Sequence, residues 1–583
     1  MKAARQLEHF PNLVSMFLTR AEQKGDAPFL WAKADGQWQS ISWAETARRV
    51  GALAKSLSDL GLQPGDRVML VSENRPEWLI ADLAIMAAGC VTVPTYTTNT
   101  ARDHTHILSN SGAKAVIVST QKLAKTLVPT VLLSADCRHV IGIDDIRTGQ
   151  ATDQASFHHW AEMVRGPVDV GALTGRCATM RRDELACIIY TSGTGGAPRG
   201  VMQHHGMILH NIAGAVEVIS SDFGWGEEVF LSFLPASHAY EHTAGQHFPI
   251  GLAGQIYYAE SLEKLAANIE EVGPTIMAVV PRLFEMLHAR IVKAVEAKGA
   301  ISTFLLKRAL EIGTRKNAGR SRLIDLPMDA ILSQTLRRNI CLKFGGRMKA
   351  LISGGAPLNP EIGIFFQSLG VNLLQGFGQT ECGPVASVNR PKAGIRMESV
   401  GVPLLNTEVR LAEDGEILVR GENVMHGYWR SPEESARVLK DGWLYTGDVG
   451  HFDDAGRIVI TDRKKDLIVN DKGDNVSPQR VEGMLTLQPE IAQAMVYGDR
   501  RPYLVAVVVP DPEVEGTEDL RQRLQGALDR VNSEASVIEK VRRFIVADAP
   551  FTVQNEQLTP SMKIRRHVLK SVYSKRLDAL YKK

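Results

Sequence analysis

The chain has 583 residues, more than one hydrophobic core usually organises, so we expect at least two domains. Hydrophobic residues make up 44% and charged residues 23%, which is the composition of an ordinary globular protein. A net charge of only +2 excludes a global positive field for nucleic acid, so any anion-binding site must be local.

Cysteine spacing and hydropathy exclude several further classes. The six cysteines form no CxxC or CxxH pair, which argues against a zinc site and a disulfide framework and fits a reducing compartment. The segment Met1–Arg20 lacks the features of a signal peptide, and no apolar run reaches the roughly 18 residues of a membrane span. We therefore expect a cytoplasmic protein, at most peripheral on the inner face of the membrane.

Short apolar segments alternate with helix-like segments along most of the chain. Arg67–Val71 predicts a strand, Glu77–Ala88 a helix and Val91–Pro94 a second strand. The theme returns in the strand-like segments Ala115–Val118, Ala186–Tyr190 and Ala350–Ile352. Such alternation favours an α/β fold with parallel-rich sheets and flanking helices.

A glycine-rich loop, from Tyr190 to Gly200, follows the strand-like segment Leu185–Tyr190. Its glycines let backbone N–H groups approach an anion, its hydroxyls add donors, and Arg199 adds positive charge. No Gly-Lys-Ser/Thr follows at the right spacing, so the loop is not a Walker A loop. Taken alone, it is either a phosphate-binding loop or an ordinary glycine-rich turn.

The middle of the chain holds a histidine motif and a basic stretch. The motif is Pro235–His238, with the sequence Pro-Ala-Ser-His. Residues 282–349 have a mostly helical pattern and contain 15 Lys and Arg against 5 Asp and Glu. The stretch is either a solvated helical face or an anion-binding surface. The residues that would form such a surface are Arg315, Lys316, Arg320, Arg322, Arg337 and Arg338.

Three polar motifs follow later segments. Ser353–Leu358 opens a strand end into a glycine turn, and Gln375–Glu381 ends in a carboxylate that can hold a hard cation such as Mg²⁺. Tyr445–Asp448 ends in a carboxylate that can accept hydrogen bonds from two hydroxyl groups. In isolation, a strand–helix connection, a helix start and an Asx turn would also explain these three motifs, and a helix start is then the more common explanation of the second.

The last third of the chain predicts a domain boundary. Glu408–Val419 and Gly456–Thr461 are typical of short strands joined by polar turns, which predicts a small barrel-like β part. The charged stretch Asp462–Asp466 then interrupts the strands, and few apolar contacts can cross such a stretch. We place the boundary there, with a large domain over residues 1–464 and a smaller α+β domain over residues 465–583, which contains the strand-like segment Leu504–Val509.

These motifs together resemble those of the adenylate-forming (AMP-binding) superfamily, which contains acyl-CoA synthetases, luciferases and peptide-synthetase adenylation domains. The loop Tyr190–Gly200 is close to that family's signature, and the other motifs follow in the family's order as far as Gln557–Lys563. Two positions depart from the usual pattern, since Gly195 replaces a Thr and Arg199 replaces a Lys. The resemblance implies an ATP-dependent, AMP-forming acid–thiol ligase.

The resemblance also implies which residues bind the nucleotide. These are Thr191, Ser192, Gly193, Thr194, Gly195, Arg199, Gly354, Gly355, Ala356, Gln375, Gly376, Phe377, Gly378, Asp448 and Arg463. Within this set, Phe377 would stack on adenine, and Asp448 and Arg463 would contact the ribose.

The catalytic roles follow from the same resemblance. Thr380 would contact the α-phosphate, Glu381 would hold Mg²⁺, and Lys563 would bridge the substrate carboxylate and the ATP phosphate. His238 belongs to the motif that lines the acyl site. A carboxylic acid is already ionised at neutral pH, so we expect His238 to shape the pocket or to orient the carboxylate.

A second step would use coenzyme A as the acceptor. The family rotates its small C-terminal domain about one residue, which here is Lys465. The turn that contains Lys472, Gly473 and Asp474 would then face the tunnel through which the thiol enters. The basic stretch is a candidate surface for the phosphates of coenzyme A or for anionic lipid in a peripheral membrane contact.

The acid is indicated by the length of one connection. From Pro281 to Ser353 there are 72 positions with a helical pattern, which resembles long-chain and very-long-chain synthetases. The main hypothesis is a long-chain fatty acid–CoA ligase with small-molecule substrates and no nucleic-acid partner. The alternatives are a fatty acyl-AMP ligase that loads a carrier protein, and a catalytically weak nucleotide-binding scaffold, which the departures at Gly195 and Arg199 motivate.

Overall fold

The computed structural model describes residues 7–147, 154–191, 197–559 and 564–582. Alternating strands and helices build two large, mainly parallel sheets, followed by a smaller antiparallel sheet and a C-terminal α+β unit. The predicted fold class is therefore confirmed.

The strands of the first half of the chain are β1 (Pro28–Ala34), β2 (Gln37–Ser42), β3 (Arg67–Val71), β4 (Val91–Pro94), β5 (Ala115–Val118), β6 (His139–Gly142), β7 (Ser156–His159), β8 (Leu185–Thr191), β9 (Arg199–His204), β10 (Val229–Ser232), β11 (Gln255–Tyr258) and β12 (Ile276–Val279). The later strands are β13 (Ala350–Ser353), β14 (Leu373–Phe377), β15 (Ser387–Val388), β16 (Val402–Pro403), β17 (Glu408–Leu411), β18 (Glu416–Arg420), β19 (Leu439–Lys440), β20 (Trp443–Phe452), β21 (Ile458–Arg463), β22 (Ile468–Val469), β23 (Asn475–Val476), β24 (Ile491–Tyr497), β25 (Leu504–Pro510) and β26 (Val541–Val546).

The α-helices that precede strand β12 are α1 (Leu13–Lys24), α2 (Trp43–Asp59), α3 (Pro76–Ala87), α4 (Ala101–Ser111), α5 (Gln121–Leu132), α6 (Trp160–Met163), α7 (Val170–Cys177), α8 (His205–Asp222), α9 (Ala239–Glu241), α10 (Phe248–Gly251) and α11 (Leu265–Val272). The remaining α-helices are α12 (Pro281–Glu296), α13 (Ala300–Asn317), α14 (Leu326–Gln334), α15 (Leu336–Lys343), α16 (Pro360–Ser368), α17 (Pro432–Val438), α18 (Pro478–Thr486), α19 (Leu520–Glu534) and α20 (Arg566–Ala579). A π-helical turn covers His242–His247, and 3₁₀ turns cover Leu323–Asp325, Thr380–Cys382, Pro391–Ala393 and Val537–Glu539.

The two large sheets supply most of the core. The first has nine strands in the order β16-β15-β14-β13-β12-β10-β11-β1-β2, and it is parallel from β14 to β1. The second has seven strands in the order β7-β6-β5-β3-β4-β8-β9, with only the β8–β9 pair antiparallel. Every residue of β4 and β5 is buried, as expected for parallel strands that helices cover on both faces.

The barrel-like β part is a five-stranded antiparallel sheet in which β20 pairs with β18, β19 and β21. The predicted interruption at Asp462–Asp466 is wrong in its position. Strand β21 continues through Asp462 to Arg463, because both residues pair with β20. Asp462 and Arg463 therefore lie on an edge strand of this small sheet, and Lys464–Asp466 form the turn that follows it.

The C-terminal unit is built on strands β24, β25 and β26. Strand β25 is buried along its whole length, and helices α18 and α19 contribute to the hydrophobic cluster on one side of the sheet. Helix α20 packs on the other side through Leu569, Tyr573 and Leu577. The assignment of a mobile domain to residues 465–583 remains a prediction.

Helices α12 to α15 form a helical insertion between β12 and β13, as the helical pattern there predicts. The six basic residues predicted to form one surface are not all unpaired. Arg315 pairs with Asp325, and both Lys316 and Arg337 pair with Asp329. None of the helices in the described part of the chain has the length and apolar composition needed to cross a membrane.

Candidate nucleotide site at the sheet edges

The carboxyl ends of four neighbouring parallel strands bring several predicted motifs to one sheet edge. Strands β10, β12, β13 and β14 are adjacent, and their register aligns Val279 with Ser353 and Ser353 with Gln375. The loops with His238, Gly354 and Gly378 follow these strands. Ligands bind at this edge in open α/β sheets, so the topology is suited to a shared site.

The loop after β13 packs closely against an aromatic ring. A Cβ atom on Gly354 would lie 3.2 Å from the Tyr240 ring, and the Tyr240 hydroxyl donates a 2.6 Å hydrogen bond to the Ile352 carbonyl. Gly355 has φ +80°, which favours glycine. The backbone at Gly354 therefore lies closer to the Tyr240 ring than most side chains would allow.

The motif Gln375–Glu381 leaves β14 and enters a 3₁₀ turn. Phe377, the predicted adenine-stacking residue, is only 6% exposed and belongs to a hydrophobic cluster with Val201 and Ile417. A Cβ atom on Gly378 would lie 1.9 Å from the Pro384 carbonyl oxygen, so only glycine fits there. The Thr380 carbonyl accepts a 2.8 Å hydrogen bond from Gln203 on β9, which connects the two large sheets.

Glu381 is held on one side only. Its Oε1 atom accepts a 2.8 Å hydrogen bond from the Tyr428 hydroxyl, whose pKa is raised by burial and by the Glu381 charge. Its Oε2 atom has no hydrogen-bond partner among the residues that the structure describes. This oxygen suits Mg²⁺, which proteins usually hold through one or two carboxylates together with phosphate oxygens.

Arg199 is oriented by two neighbours. Its Nη1 atom lies 2.8 Å from Glu434 Oε2, and its guanidinium lies 4.6 Å from the centre of the Tyr428 ring. Thr191 and Arg199 face each other at the ends of β8 and β9. Ser192, Gly193, Thr194 and Gly195, which lie between them, fall outside the described residues. The Arg199 charge is therefore positioned beside Glu381 through the shared Tyr428, although Glu434 partly compensates it.

Asp448 and Arg463 form the best-defined pair of the site. Arg463 Nε donates to Asp448 Oδ1 at 2.8 Å, and the Asp448 charge raises the pKa of Arg463. Gln379 Nε2 donates to the Thr446 carbonyl at 3.1 Å and reaches Asp448 Oδ2 at 3.4 Å. A side chain from the Gln375–Glu381 motif thus contacts the carboxylate predicted to bind ribose.

His238 begins the short helix α9. Its Nδ1 atom accepts a 3.1 Å hydrogen bond from the Tyr240 backbone, and its ring centre lies 6.4 Å from that of Tyr96. This capping hydrogen bond orients the His238 ring, and its role in the acyl site remains a prediction.

The predicted hinge residue comes two positions after Arg463, and the predicted tunnel residues follow it in the chain. Lys465 is exposed in the turn that follows β21. Lys472, Gly473 and Asp474 form the turn between β22 and β23, where the Asn470 side chain accepts from the Lys472 and Asp474 backbones. No hydrogen bond or ion pair joins this turn to Asp448, Arg463 or Glu381 within the described residues. Lys563 falls outside them.

Sequence reasoning missed a buried polar network behind the His238 motif. Asp82 Oδ2 lies 3.1 Å from His242 Nε2 and 2.9 Å from His247 Nε2, and all three side chains are fully buried. Burial acts to raise the pKa of Asp82, but the two imidazoles outweigh it and lower that pKa. Asp82 was the available signal, because it lies within the otherwise apolar segment Trp78–Ala87 of helix α3.

Glu241 is a second buried carboxyl group in this region, with a different environment. Its Oε1 atom accepts a 2.6 Å hydrogen bond from Ser232, and no cation is among the groups that shift its titration. Burial raises the pKa of Glu241 to about 8, so the neutral acid predominates at pH 7. The pKa values of these two buried carboxyl groups are thus shifted in opposite directions.

Two family models match the chain. The model described as AMP-binding enzyme matches residues 17–429, and the model described as AMP-binding enzyme C-terminal domain matches residues 465–583. Among curated proteins, the chain is 30% identical to the long-chain-fatty-acid–CoA ligase FadD15 of Mycobacterium tuberculosis, over 98% of this chain and 97% of the relative. It is 28% identical to the human long-chain-fatty-acid–CoA ligase 6, over 96% of this chain and 85% of the relative.

Solved structures share the fold at lower identity. The adenylation domain of a carboxylate reductase from Mycobacterium chelonae superposes with a TM-score of 0.75 at 23% identity, over 98% of this chain and 92% of that chain. The anthranilate CoA ligase AuaEII in complex with anthranoyl-AMP gives a TM-score of 0.72 at 19% identity, over 97% and 98%. These likenesses establish a common architecture.

Proposed function

The chain belongs to the AMP-binding enzyme family and, within it, to the long-chain fatty acid–CoA ligases, and on this premise we propose that it activates a long-chain fatty acid with ATP and transfers the acyl group to coenzyme A. Coenzyme A as the acceptor and a long-chain acid as the substrate rest on the names of the relatives. The roles of individual residues rest on the resemblance of the motifs, and the geometry of the sheet-edge site supports those of Glu381, Asp448 and Arg463.

One observation carries the site assignment. Gln379 Nε2 contacts Asp448, and Asp448 pairs with Arg463, so residues from three separate motifs meet at one point. Asp448 lies on β20 and Gln379 follows β14, so these residues reach each other only because the small sheet packs on the large one. Convergence of distant polar residues in a protein with this family's motif order supports a nucleotide site there.

In the first step, an oxygen of the fatty acid carboxylate attacks the α-phosphorus of ATP. The bond from that phosphorus to the bridging oxygen breaks, pyrophosphate leaves, and acyl-AMP forms. Asp448 and Arg463 would hold the ribose, and Thr380 would position the α-phosphate. Because no proton has to be removed from an ionised acid, positioning and charge neutralisation account for most of the catalysis.

Mg²⁺ would bind at Glu381 together with phosphate oxygens of ATP, where it would neutralise the charge of the leaving pyrophosphate. The Tyr428 hydroxyl fixes one carboxylate oxygen of Glu381 and leaves the other available. Arg199, stacked on the same tyrosine, would add positive charge on the phosphate side.

In the second step, the thiolate sulfur of coenzyme A attacks the acyl carbonyl carbon, and AMP leaves with its carboxylate-derived oxygen. Lys563 would serve the first step and obstruct the second. Rotation about Lys465 would remove Lys563 and bring the turn Lys472–Asp474 to the thiol entrance. Lys465 suits this role because it is exposed in a turn between two folded units.

The test is a product assay with one protein and three acceptor conditions. The protein is incubated with ATP, Mg²⁺ and a panel of acids from acetate to palmitate, with coenzyme A, with an acyl carrier protein, or with no acceptor. We expect palmitoyl-CoA together with AMP and pyrophosphate. Acyl-AMP that is consumed only by the carrier protein would indicate a carrier-loading ligase, and nucleotide binding without any acyl product would indicate a scaffold.

A further inference from the structure

Exposed apolar side chains are concentrated in the helical insertion. Of the 15 large hydrophobic residues exposed in the described part of the chain, eight lie within residues 286–342. They are Met286, Ile301, Phe304, Leu323, Ile324, Leu326, Ile331 and Leu342. Scattered exposed apolar residues need no explanation, but adjacent ones can form an interaction surface.

The two most exposed of them, Leu323 and Ile324, sit at the turn that joins α13 to α14, and Leu326 begins α14 beside them. Leu323 is 85% exposed, Ile324 is 82% exposed and Leu326 is 60% exposed. Asp325, in the middle of this sequence, is buried instead. We call Leu323, Ile324 and Leu326 the apolar tip. A turn folded by hydrophobic burial alone would show the opposite pattern, with the apolar residues inside and the acid outside.

An ion pair maintains this inverted arrangement. Asp325 accepts two hydrogen bonds from Arg315, at 3.0 Å from Nε and 2.7 Å from Nη2. The backbone N–H of Arg320 donates to the Arg315 carbonyl at 2.8 Å and closes the turn on the same residue. A bidentate pair of this geometry is directional, so it fixes the rotation of the 3₁₀ turn and turns the apolar tip outward.

The solvent-exposed charges next to the apolar tip are positive. Arg320 and Arg322 immediately precede it, are exposed, and have no ion pair with any residue that the structure describes. The nearby acids are already engaged, since Asp325 pairs with Arg315 and Asp329 with Lys316. The outward surface therefore combines apolar side chains with unpaired positive charge.

We propose that the apolar tip, with Arg320 and Arg322, docks the protein on an anionic lipid bilayer. Apolar side chains can enter the boundary between headgroups and acyl chains, while arginines bind the lipid phosphates. A second copy of this chain is a poorer occupant, because two such surfaces would face each other with like charges and no free acids. The docking does not depend on the ligase activity and needs neither ATP nor coenzyme A.

The first experiment measures co-sedimentation of the full chain with vesicles of phosphatidylcholine, with and without phosphatidylglycerol. We expect binding to the anionic vesicles that weakens with added salt. The variant Leu323→Ser/Ile324→Ser/Leu326→Ser should have a vesicle partition coefficient that is lower by about tenfold or more, since apolar insertion contributes to binding. The matched control, Leu133→Ser/Leu262→Ser/Val537→Ser, removes three equally exposed apolar residues elsewhere and should bind as the wild type does.

The second experiment separates charge from apolar contact. Arg320→Gln/Arg322→Gln should reduce binding to anionic vesicles and flatten its salt dependence. Lys122→Gln/Lys125→Gln, which removes two exposed charges from α5, should not. Far-UV circular dichroism and thermal unfolding report whether the variants remain folded, and a tip variant that unfolds is replaced by single serine substitutions.

Three outcomes would overturn the proposal. The first is that the wild type does not sediment with anionic vesicles. The second is that the tip variant sediments as much as its control does. The third is that sedimentation equilibrium shows an oligomer of the wild type that is absent in the tip variant. Ligase activity is measured in parallel on detergent-dispersed palmitate. If the tip variant loses vesicle binding and keeps its activity, the apolar tip serves docking and not the reaction. If the wild type binds vesicles but has no ligase activity, the proposed reaction is wrong and the docking proposal stands.

Discussion

The sheet-edge site contains one Asp–Arg pair and the turn that bears the apolar tip contains another, but the two pairs have different roles. At the site, Asp448 and Arg463 lie on paired strands, and Gln379 brings in a third motif. At the tip, Asp325 and Arg315 anchor a turn whose neighbouring side chains are apolar and exposed. An ion pair by itself therefore does not identify a functional group, and what surrounds it decides whether it can meet a ligand or only shapes the chain.

The comparison implies that the two regions can be inactivated separately. Variants at the sheet edge should lose nucleotide chemistry and keep vesicle binding, and variants at the apolar tip should do the reverse. The variants below are ordered by the size of the effect expected, and each is best measured with both assays.

The largest effect is expected for Glu381→Gln. The amide keeps the size of the side chain and its contact with Tyr428 but removes the charge that would hold Mg²⁺. Loss of several kcal/mol of charge stabilisation corresponds to about a thousandfold slower acyl-AMP formation. The measurement is palmitate-dependent exchange of pyrophosphate into ATP. Tyr428→Phe, which removes only the supporting hydrogen bond, should cost about tenfold or less, and near wild-type exchange in Glu381→Gln would refute the assignment.

Lys563 and Lys465 should divide the reaction between them. Lys563→Ala should slow adenylation by about a hundredfold, since it removes a positioned charge, and should spare thioester formation from supplied palmitoyl-AMP. Lys465→Pro fixes φ at about −65°, which restricts rotation at this residue, and should slow the second step while sparing the first. The two half-reactions are measured separately, and equal loss of both in each variant would contradict the rotation model.

Asp448→Asn should weaken ATP binding and leave Arg463 without its partner. We expect the KM for ATP to rise about tenfold to a hundredfold, which corresponds to about 1.5–3 kcal/mol for a charged hydrogen bond. The control is Asp453→Asn, because Asp453 pairs with Arg457 at the turn that joins β20 to β21, away from the site. If both variants raise the KM equally, the effect belongs to the small sheet and not to a ribose contact.

The smallest effect concerns stability and the buried carboxyl groups. The folded-state pKa of Glu241 is about 8, against an ordinary value of 4.5, so folding retains a proton and stability falls as pH rises between these values. Glu241→Gln removes this loss. Its melting temperature relative to wild type should therefore rise by a few degrees from pH 5.5 to pH 8.5.

Asp82→Asn is the matched contrast for Glu241→Gln. The pKa of Asp82 is lowered, so its carboxylate is ionised at both pH values, and the variant should melt earlier than wild type at both. Parallel melting curves for Glu241→Gln and wild type across this pH range would show that Glu241 is ionised in the folded protein.

Strand positions could be predicted from the sequence where burial dictates them. The strands at Arg67–Val71, Val91–Pro94 and Ala115–Val118 have the predicted bounds, because strands that are covered on both faces consist mainly of apolar residues. The end of β21 could not be predicted, since Asp462 and Arg463 are charged and an edge strand of a small sheet tolerates such residues.

The contacts between side chains distant in sequence could not be predicted from the sequence. The sequence identifies Asp448 and Arg463 as candidates but contains no sign that Gln379 reaches them, or that Glu434 engages Arg199. The charge excess of residues 282–349 predicts a basic surface, yet the pairs of Arg315 with Asp325 and of Lys316 with Asp329 depend on how α13 and α14 pack. Counts of charges do not show which of them face each other.

The central claim is that a fatty acid carboxylate attacks the α-phosphorus of ATP at the sheet edge and that coenzyme A then displaces AMP. Palmitate labelled with ¹⁸O in both carboxylate oxygens tests it in one measurement. The acid oxygen that forms the bond to phosphorus stays with AMP when the thiol attacks carbon, so mass spectrometry should find one ¹⁸O atom in each AMP and one in each palmitoyl-CoA. Label in inorganic phosphate, or unlabelled AMP beside palmitoyl-CoA, would contradict the account.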